Sequence, residues 1–200
     1  MECEDLRLRK AEIRQQALAL RRAQPDKDEL SQRILTRALG LPQFQDARTV
    51  LFYVGVRSEV RTLATLRAQL ESNKRIAVPY CAGDELRLFH LAGEAELEPA
   101  DFGLLEPRRE LRELPPRQVA VTAVDLVLVP GLAFDPQGAR CGHGKGYYDR
   151  LLQHARPDAL LVGIAFQCQV FPEIPVHQHD MFMDLVVTEQ RIYCGRGRGA

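Results

Sequence analysis

The 200-residue chain has no charge excess of either sign, with 27 Lys plus Arg against 27 Asp plus Glu. It therefore builds no overall field for a nucleic-acid backbone, and no nucleic-acid partner is expected. Long apolar runs are missing as well: none approaches the about 18 residues of a membrane span, and the N-terminus has no signal-peptide pattern. No membrane partner is expected either. The five cysteines (Cys3, Cys81, Cys141, Cys168, Cys194) form no C-x-x-C pair and are odd in number. That excludes an obvious disulfide framework and suits reduced thiols in the cytoplasm. Cys168, His177 and His179 lack the paired spacing of a zinc site. Repeats are absent, and the one biased segment is a Gly/Arg tail at 195–200 that reads as disordered. Lysine is scarce, and Lys10 and Lys145 are two of only four. What remains, 46% apolar and 27% charged residues, is ordinary for one globular domain spanning 1–200 with a sizeable core.

The two commonest phosphate motifs are absent too. A P-loop needs Ser or Thr after its lysine, whereas Lys145 is followed by Gly146. A dinucleotide fingerprint needs G-x-G-x-x-G, but Gly142, Gly144 and Gly146 read G-x-G-x-G. The chain nevertheless carries a stretch at 125–152 that bears phosphate-binding chemistry. An apolar run of buried-strand length, Asp125-Leu126-Val127-Leu128-Val129-Pro130, leads into Gly138, Gly142, Gly144 and Gly146 with Arg140 and Lys145 among them. Tyr147-Tyr148-Asp149-Arg150-Leu151-Leu152 then opens a helix. Glycines admit close approach of backbone N–H groups to an anion, a helix start offers unpaired donors, and the cations neutralise charge. A polyphosphate is the expected cargo.

Elsewhere the pattern alternates. Residues 4–23 carry Leu6, Ile13, Ala17 and Leu20 amid charges and read as an amphipathic helix. Lys10 and Arg14 share one of its faces, which from the helix alone reads as a solvated basic surface. Helices are also expected at 28–39, 61–70 and 146–155, and strands at 49–54, 76–79, 86–91, 125–130, 160–166 and 184–188. Residues 92–118, rich in Glu, Pro and Arg, read as a long surface excursion. Alternating strands and helices predict a three-layer α/β/α fold, with a largely parallel, Rossmann-like sheet covered by helices on both faces. In such folds ligands sit beyond the carboxyl ends of the strands, where the glycine loop would lie.

Several blocks then occur in order. They are Tyr53 with Glu59-Val60-Arg61-Thr62, Phe102-Gly103-Leu104-Leu105-Glu106-Pro107, Gly142-His143-Gly144-Lys145-Gly146-Tyr147-Tyr148-Asp149-Arg150, and Pro175 with Asp180. On these blocks the chain resembles the 5-formyltetrahydrofolate cyclo-ligase family from Lys10 to about Thr188. The resemblance implies an enzyme that uses ATP and magnesium to convert 5-formyltetrahydrofolate to 5,10-methenyltetrahydrofolate, releasing ADP and phosphate. It implies that Lys10, Arg14 and the loop residues Arg140, Gly142, His143, Gly144, Lys145, Gly146, Tyr147 and Tyr148 hold ATP. Lys145 and Arg140 would act in catalysis, and Asp149 and Asp180 would hold Mg2+. Val54, Glu59 and Phe102 would line the folate site, with Tyr148 between the two ligands. Two departures stand out. Gly55 replaces a small polar residue often found two after the strand tyrosine, and His143 occupies a variable loop position with no role of its own assigned. Small-molecule substrates and a monomer are expected.

The residue chemistry agrees. A formamide oxygen is a weak nucleophile and a poor leaving group, so it needs activation before a ring can close. Phosphoryl transfer is governed by positioning and charge neutralisation, which Lys145, Arg140 and the loop N–H groups can supply. Glu59 suits a pterin-like ring, whose adjacent N–H donors one carboxylate can accept together. Two rival readings are a nucleotide-binding transferase or oxidoreductase on a similar sheet, and a non-catalytic folate- or nucleotide-binding module. The first calls for a complete dinucleotide fingerprint or a nucleophile, the second for erosion of Lys145, Asp149 or Asp180.

Overall fold

Short runs of Val, Leu and Ile, too brief for helices and bounded by turn residues, assemble into one sheet. The computed structural model describes residues 2–100, 103–178 and 180–197. In chain order the strands are β1 (Thr49–Leu51), β2 (Arg75–Ala82), β3 (Glu85–His90), β4 (Leu97–Pro99), β5 (Leu105–Pro107) and β6 (Gln118–Val119). They continue with β7 (Leu126–Val129), β8 (Ala133–Phe134), β9 (Arg140–Cys141), β10 (Leu160–Ile164), β11 (Leu185–Val187) and β12 (Ile192–Cys194). The helices are α1 (Glu2–Ala23), α2 (Lys27–Leu39), α3 (Pro42–Asp46), α4 (Leu63–Leu70), α5 (Arg109–Arg112) and α6 (Tyr147–Gln153).

The main sheet runs β12-β11-β10-β7-β1-β2-β3-β6. Its centre, from β11 to β2, is parallel. β12, β3 and β6 add antiparallel edges. Period-two alternation sends Val50, Ile76, Leu126 and Val162 to one face, against Ile34 and Leu35 of α2, Phe44 of α3 and Leu66 of α4. Leu51, Ala77, Val127 and Leu161 go to the other, with Leu152 of α6. The expected α/β/α layering with a largely parallel sheet is what the chain forms. Strand β1 is followed by β2 on one side, while β7 takes the other side of β1. The strand order therefore reverses between β1 and β7, and a crevice opens at their carboxyl ends.

Four expectations need correction. The first strand pairs only as Thr49–Leu51. Phe52 adds one bond to the Ala77 carbonyl at 2.9 Å, after which Tyr53 and Val54 leave the ladder for the crevice. The 92–118 segment is not wholly an excursion, because β4 pairs with β5 and β6 extends the main sheet. The tail is fastened in its first part. Gly195 and Arg196 donate to the Asp184 and Gln137 carbonyls at 2.8 Å each, and Gly197 is buried; residues 198–200 lie outside the described residues.

The fourth correction concerns the glycine stretch. Between β7 and the Gly142–Gly146 loop the chain makes a small ribbon, β8 with β9. Gly138 belongs to the turn of that ribbon and not to the cradle. Its φ is 89°, and an added Cβ would meet the Met183 carbonyl oxygen at 2.3 Å. Asp135 organises the turn from a buried position, accepting from Gln137 N (3.0 Å) and Ala139 N (2.9 Å) and, with its other oxygen, from Ile174 N (3.0 Å).

Candidate active site

The crevice at the β1/β7 switch point is a cavity of about 870 Å³. Its main walls are the inner stripe of α1, the segment 53–59 after β1, the hairpin wall from β2 and the loop from Arg140 to Asp149, with 104–106, the end of β7 at 130–131, His177 and Asp180 completing the lining.

On α1 the buried stripe is the basic one. Lys10, Arg14, Ala17 and Arg21 follow at steps of four, three and four, so they lie on one helical face. Lys10 (6% exposed) and Arg21 (3%) are buried, whereas Leu8 (61%) and Leu20 (48%) face outward. The solvated-face reading of this helix is therefore reversed. The Lys10 ammonium forms an ion pair with Asp180, whose same carboxylate oxygen accepts from His177 N at 2.6 Å. Arg14 does not project free. Its Nε donates to the Gly142 carbonyl at 2.9 Å, and its guanidinium lies over Gly144. Arg21, which sequence reasoning missed, donates to Ser58 Oγ (3.1 Å) and the Gly131 carbonyl (3.3 Å) and faces Glu59 at 3.6 Å. Burial lowers the Arg21 pKa, with Glu59 opposing that shift. The 10/14/17/21 spacing is the signal that could have found it.

The loop's geometry demands glycine at two positions, since Gly144 and Gly146 have φ of 93° and 67°. Gly146 then caps α6, placing Tyr148 and Asp149 in its first turn. Arg140 is committed to bracing this corner. It donates to Asp149 at 2.8 Å and to the Pro130 carbonyl at 3.3 Å, and it lies 5.7 Å from the Tyr148 ring centre. Lys145 differs. Among the described residues it has no carboxylate partner, its nearest aromatic ring being Tyr147 at 5.8 Å, and it is exposed to the cavity. Tyr148 is the reverse case. Its hydroxyl is buried with no hydrogen-bond partner, and burial together with Glu59 pushes its pKa well up. The phenol stays neutral and can donate.

Glu59 is not a solvent-facing residue, since its side chain is 14% exposed. One oxygen accepts from Val56 N at 3.1 Å, while the other stands 3.6 Å from Arg21 and 4.0 Å from His143 Nε2. His143 thus bridges from the loop toward the far wall. Val54 lines the cavity close by. The glycine at 55 has a steric cause: a Cβ there would lie 2.2 Å from the Val60 carbonyl oxygen, and Gly55 N donates to Thr62 Oγ1 at 3.0 Å. No side chain fits. Phe102 lies outside the described residues. Lys10, Arg14, Val54, Glu59, the loop residues named from Arg140 to Tyr148, Asp149 and Asp180 all border this one cavity.

A doubly wound α/β protein with a glycine-rich loop bordering its switch-point cavity is thereby defined. The family model described as the 5-formyltetrahydrofolate cyclo-ligase family matches residues 7–189, and the chain belongs to that family. It is 30% identical over 179 residues to a probable 5-formyltetrahydrofolate cyclo-ligase of Schizosaccharomyces pombe, covering 82% of this chain and 86% of that one. It is 36% identical over 151 residues to the 5-formyltetrahydrofolate cyclo-ligase of Mycolicibacterium smegmatis, covering 72% and 75%. The solved structure of the Aquifex aeolicus 5,10-methenyltetrahydrofolate synthetase superposes with a TM-score of 0.81 at 33% identity, covering 96% of this chain and 95% of that one.

Proposed function

We propose that this protein converts 5-formyltetrahydrofolate to 5,10-methenyltetrahydrofolate at the expense of ATP. The observation that carries the reading is the convergence on one cavity of a lysine on a glycine loop with no carboxylate partner among the described residues, a largely buried carboxylate, and two aspartates. Family membership supports the same activity.

In this reading the phosphates lie along the Gly142–Gly146 loop, with Arg14 propping it from beneath and Lys145 over the transferring group. Glu59 accepts the adjacent N–H donors of the pterin ring and so fixes which face of the folate meets the nucleotide. The formyl oxygen attacks the γ-phosphorus and ADP leaves. The N10 amine of the same folate then attacks the activated carbon, losing its proton as the ring closes, and the former formyl oxygen departs within phosphate. Lys145 stabilises the charge that develops in the first step, and a single preorganised charge partner of this kind contributes a factor of about 10²–10³. The neutral Tyr148 hydroxyl, lacking a partner among the described residues, is available to donate to either ligand between the two subsites.

Asp149 and Asp180 fit a magnesium ion by the chemistry of their donor set. Magnesium takes one or two carboxylates and completes its shell with phosphate oxygens and water, so a larger protein cluster is not needed. When bound, the ion would neutralise charge on the β- and γ-phosphates. The two carboxylates are held at the cavity rim by Lys10 and Arg140.

The decisive test follows methenyl product by absorbance when purified protein meets 5-formyltetrahydrofolate with and without Mg-ATP. Product formed only with nucleotide supports the proposal. Undiminished turnover without any nucleoside triphosphate would refute it.

A further inference from the structure

The run after Lys145 ends in Arg150, to which neither subsite gives a task. Arg150 nevertheless makes contacts that an exposed arginine has no local reason to make. One terminal nitrogen donates to the Lys145 carbonyl at 2.9 Å, and the other reaches the Asp84 carbonyl at 2.6 Å. Its guanidinium lies 5.3 Å from the ring centre of Tyr147, whose hydroxyl donates to the Gly83 carbonyl at 3.3 Å. Gly83 and Asp84 form the two-residue turn between β2 and β3, with Gly83 at φ 64° as such turns require. A Cβ on Gly146 would sit 3.0 Å from the Arg150 guanidinium, so the loop is shaped to admit it.

The partners matter because of what they carry. The turn joins two strands whose residues Pro79, Tyr80, Cys81 and Leu86 wall the cavity beside the loop. The Lys145 carbonyl belongs to a loop whose glycines leave it many conformations when untied. An arginine fork offers the two carbonyls separate donors in a fixed planar geometry, whereas a lysine would have to reach both from one nitrogen on a flexible stem.

We propose that Arg150 is a positioning residue that clamps the nucleotide loop to the β2–β3 turn, holding Lys145 in the conformation that receives phosphate. The inference rests on the nucleotide reading of the loop. Without the clamp only a fraction of molecules present the competent loop, and apparent nucleotide affinity falls by that fraction. Once ATP is bound the loop is ordered by its ligand, so the chemical step changes little.

The test compares Arg150→Ala and Arg150→Lys with wild type and with Lys145→Met, using calorimetry of Mg-ATP, steady-state kinetics and amide hydrogen exchange. Arg150→Ala is expected to raise Kd and KM for ATP about five- to twentyfold with kcat within about threefold, and Arg150→Lys to recover part of the loss. Exchange should quicken together at 142–146 and 83–85. ATP affinity within twofold of wild type with unchanged exchange overturns the proposal, as does a loss confined to kcat. So does a loss shared equally by the lysine variant alongside a lowered melting temperature, which would mark general stability. If Lys145→Met also leaves nucleotide binding and turnover untouched, or wild type binds no nucleotide, the loop reading itself fails and the clamp with it. A sensitive Lys145 with an indifferent Arg150 removes the clamp alone.

Discussion

Replacing Asp180 by Asn should move two nucleotide-binding properties in opposite directions. The buried Lys10 ammonium is paired with Asp180, with side chains 7% and 19% exposed, and Arg140 is paired with Asp149 at 2.8 Å. A polyphosphate arriving without a divalent ion must pull each cation from its carboxylate and then lie beside that carboxylate. With magnesium the pairs can exchange, carboxylates toward the metal and cations toward phosphate. Asp180→Asn keeps the shape, and its amide oxygen can still accept from His177 N, now 2.6 Å from the carboxylate. That same oxygen is the one Lys10 contacts, so the ion pair becomes a hydrogen bond to a neutral amide, which loosens Lys10 for phosphate and removes the opposing charge. A charge-assisted hydrogen bond of this kind contributes about 1.5–3 kcal/mol, so metal-free ATP should bind roughly 10- to 100-fold more tightly. The half-saturating magnesium concentration should rise at the same time, because one anionic ligand has gone. Calorimetry with a non-hydrolysable ATP analogue, in chelator and then across a magnesium titration, reads both quantities. A general lesion would weaken both. The exchange argument is refuted if metal-free affinity does not increase and the magnesium requirement is unchanged. Asp149→Asn should change both in the same directions but by less, since Arg140 remains held by the Pro130 carbonyl at 3.3 Å.

Lys145→Met should lower the single-turnover rate by about 10²–10³ with the fold intact, the loss expected for one transition-state charge partner; near-normal turnover would make this lysine structural. Glu59→Gln should weaken folate binding roughly 10- to 100-fold, because the amide would turn a donor toward the ring's N–H groups or toward Arg21, 3.6 Å away. ATP affinity, measured separately by calorimetry, should stay within a few-fold, and equal weakening of both ligands would point to a lesion in the shared wall.

The sheet was legible because its central strands are buried on both faces and therefore read as apolar runs, Leu126–Val129 most clearly. Strand β12 was not. Ile192 and Cys194 are exposed and Tyr193 half-buried, so nothing in three residues distinguishes an edge strand from a loop. Its pairing depends on β11 and on Thr188, whose hydroxyl accepts from Gln190 and Arg191 N and closes the turn. Gly138 misled for a related reason. A glycine at φ 89° in a ribbon turn and one at φ 93° in the cavity loop look alike in sequence, and the Met183 carbonyl against the first tells them apart. Arg14 and Lys10 were legible as a pair, but their burial was not, since a basic stripe on an isolated helix has no partner to show.

What buries that stripe is the β8–β9 ribbon, whose two-residue strands are too short to carry a periodic pattern. Helix α1 packs against β8, β9 and the turn at Gln167–Gln169, away from the two main faces of the sheet. Ala17 meets Leu132, Ala133, Ala139, Cys141 and Ile174 in a third, smaller core. The small side chain at 17 lets the helix approach closely, and Gln169 holds the seat by donating to the Gly131 and Leu132 carbonyls at 3.0 and 2.9 Å. Arg21 donates to the same Gly131 carbonyl at 3.3 Å. The ribbon thus does for this chain what a longer glycine loop alone could not. It converts the end of β7 into a platform on which a cationic helix is laid across the mouth of the switch-point crevice. A parallel sheet supplies backbone donors and helix starts at that mouth but no excess of positive charge. The charge has to come from an element outside the sheet, and the core around Ala17 is the reason α1 can deliver Lys10, Arg14 and Arg21 there while its leucines at 8 and 20 stay in water.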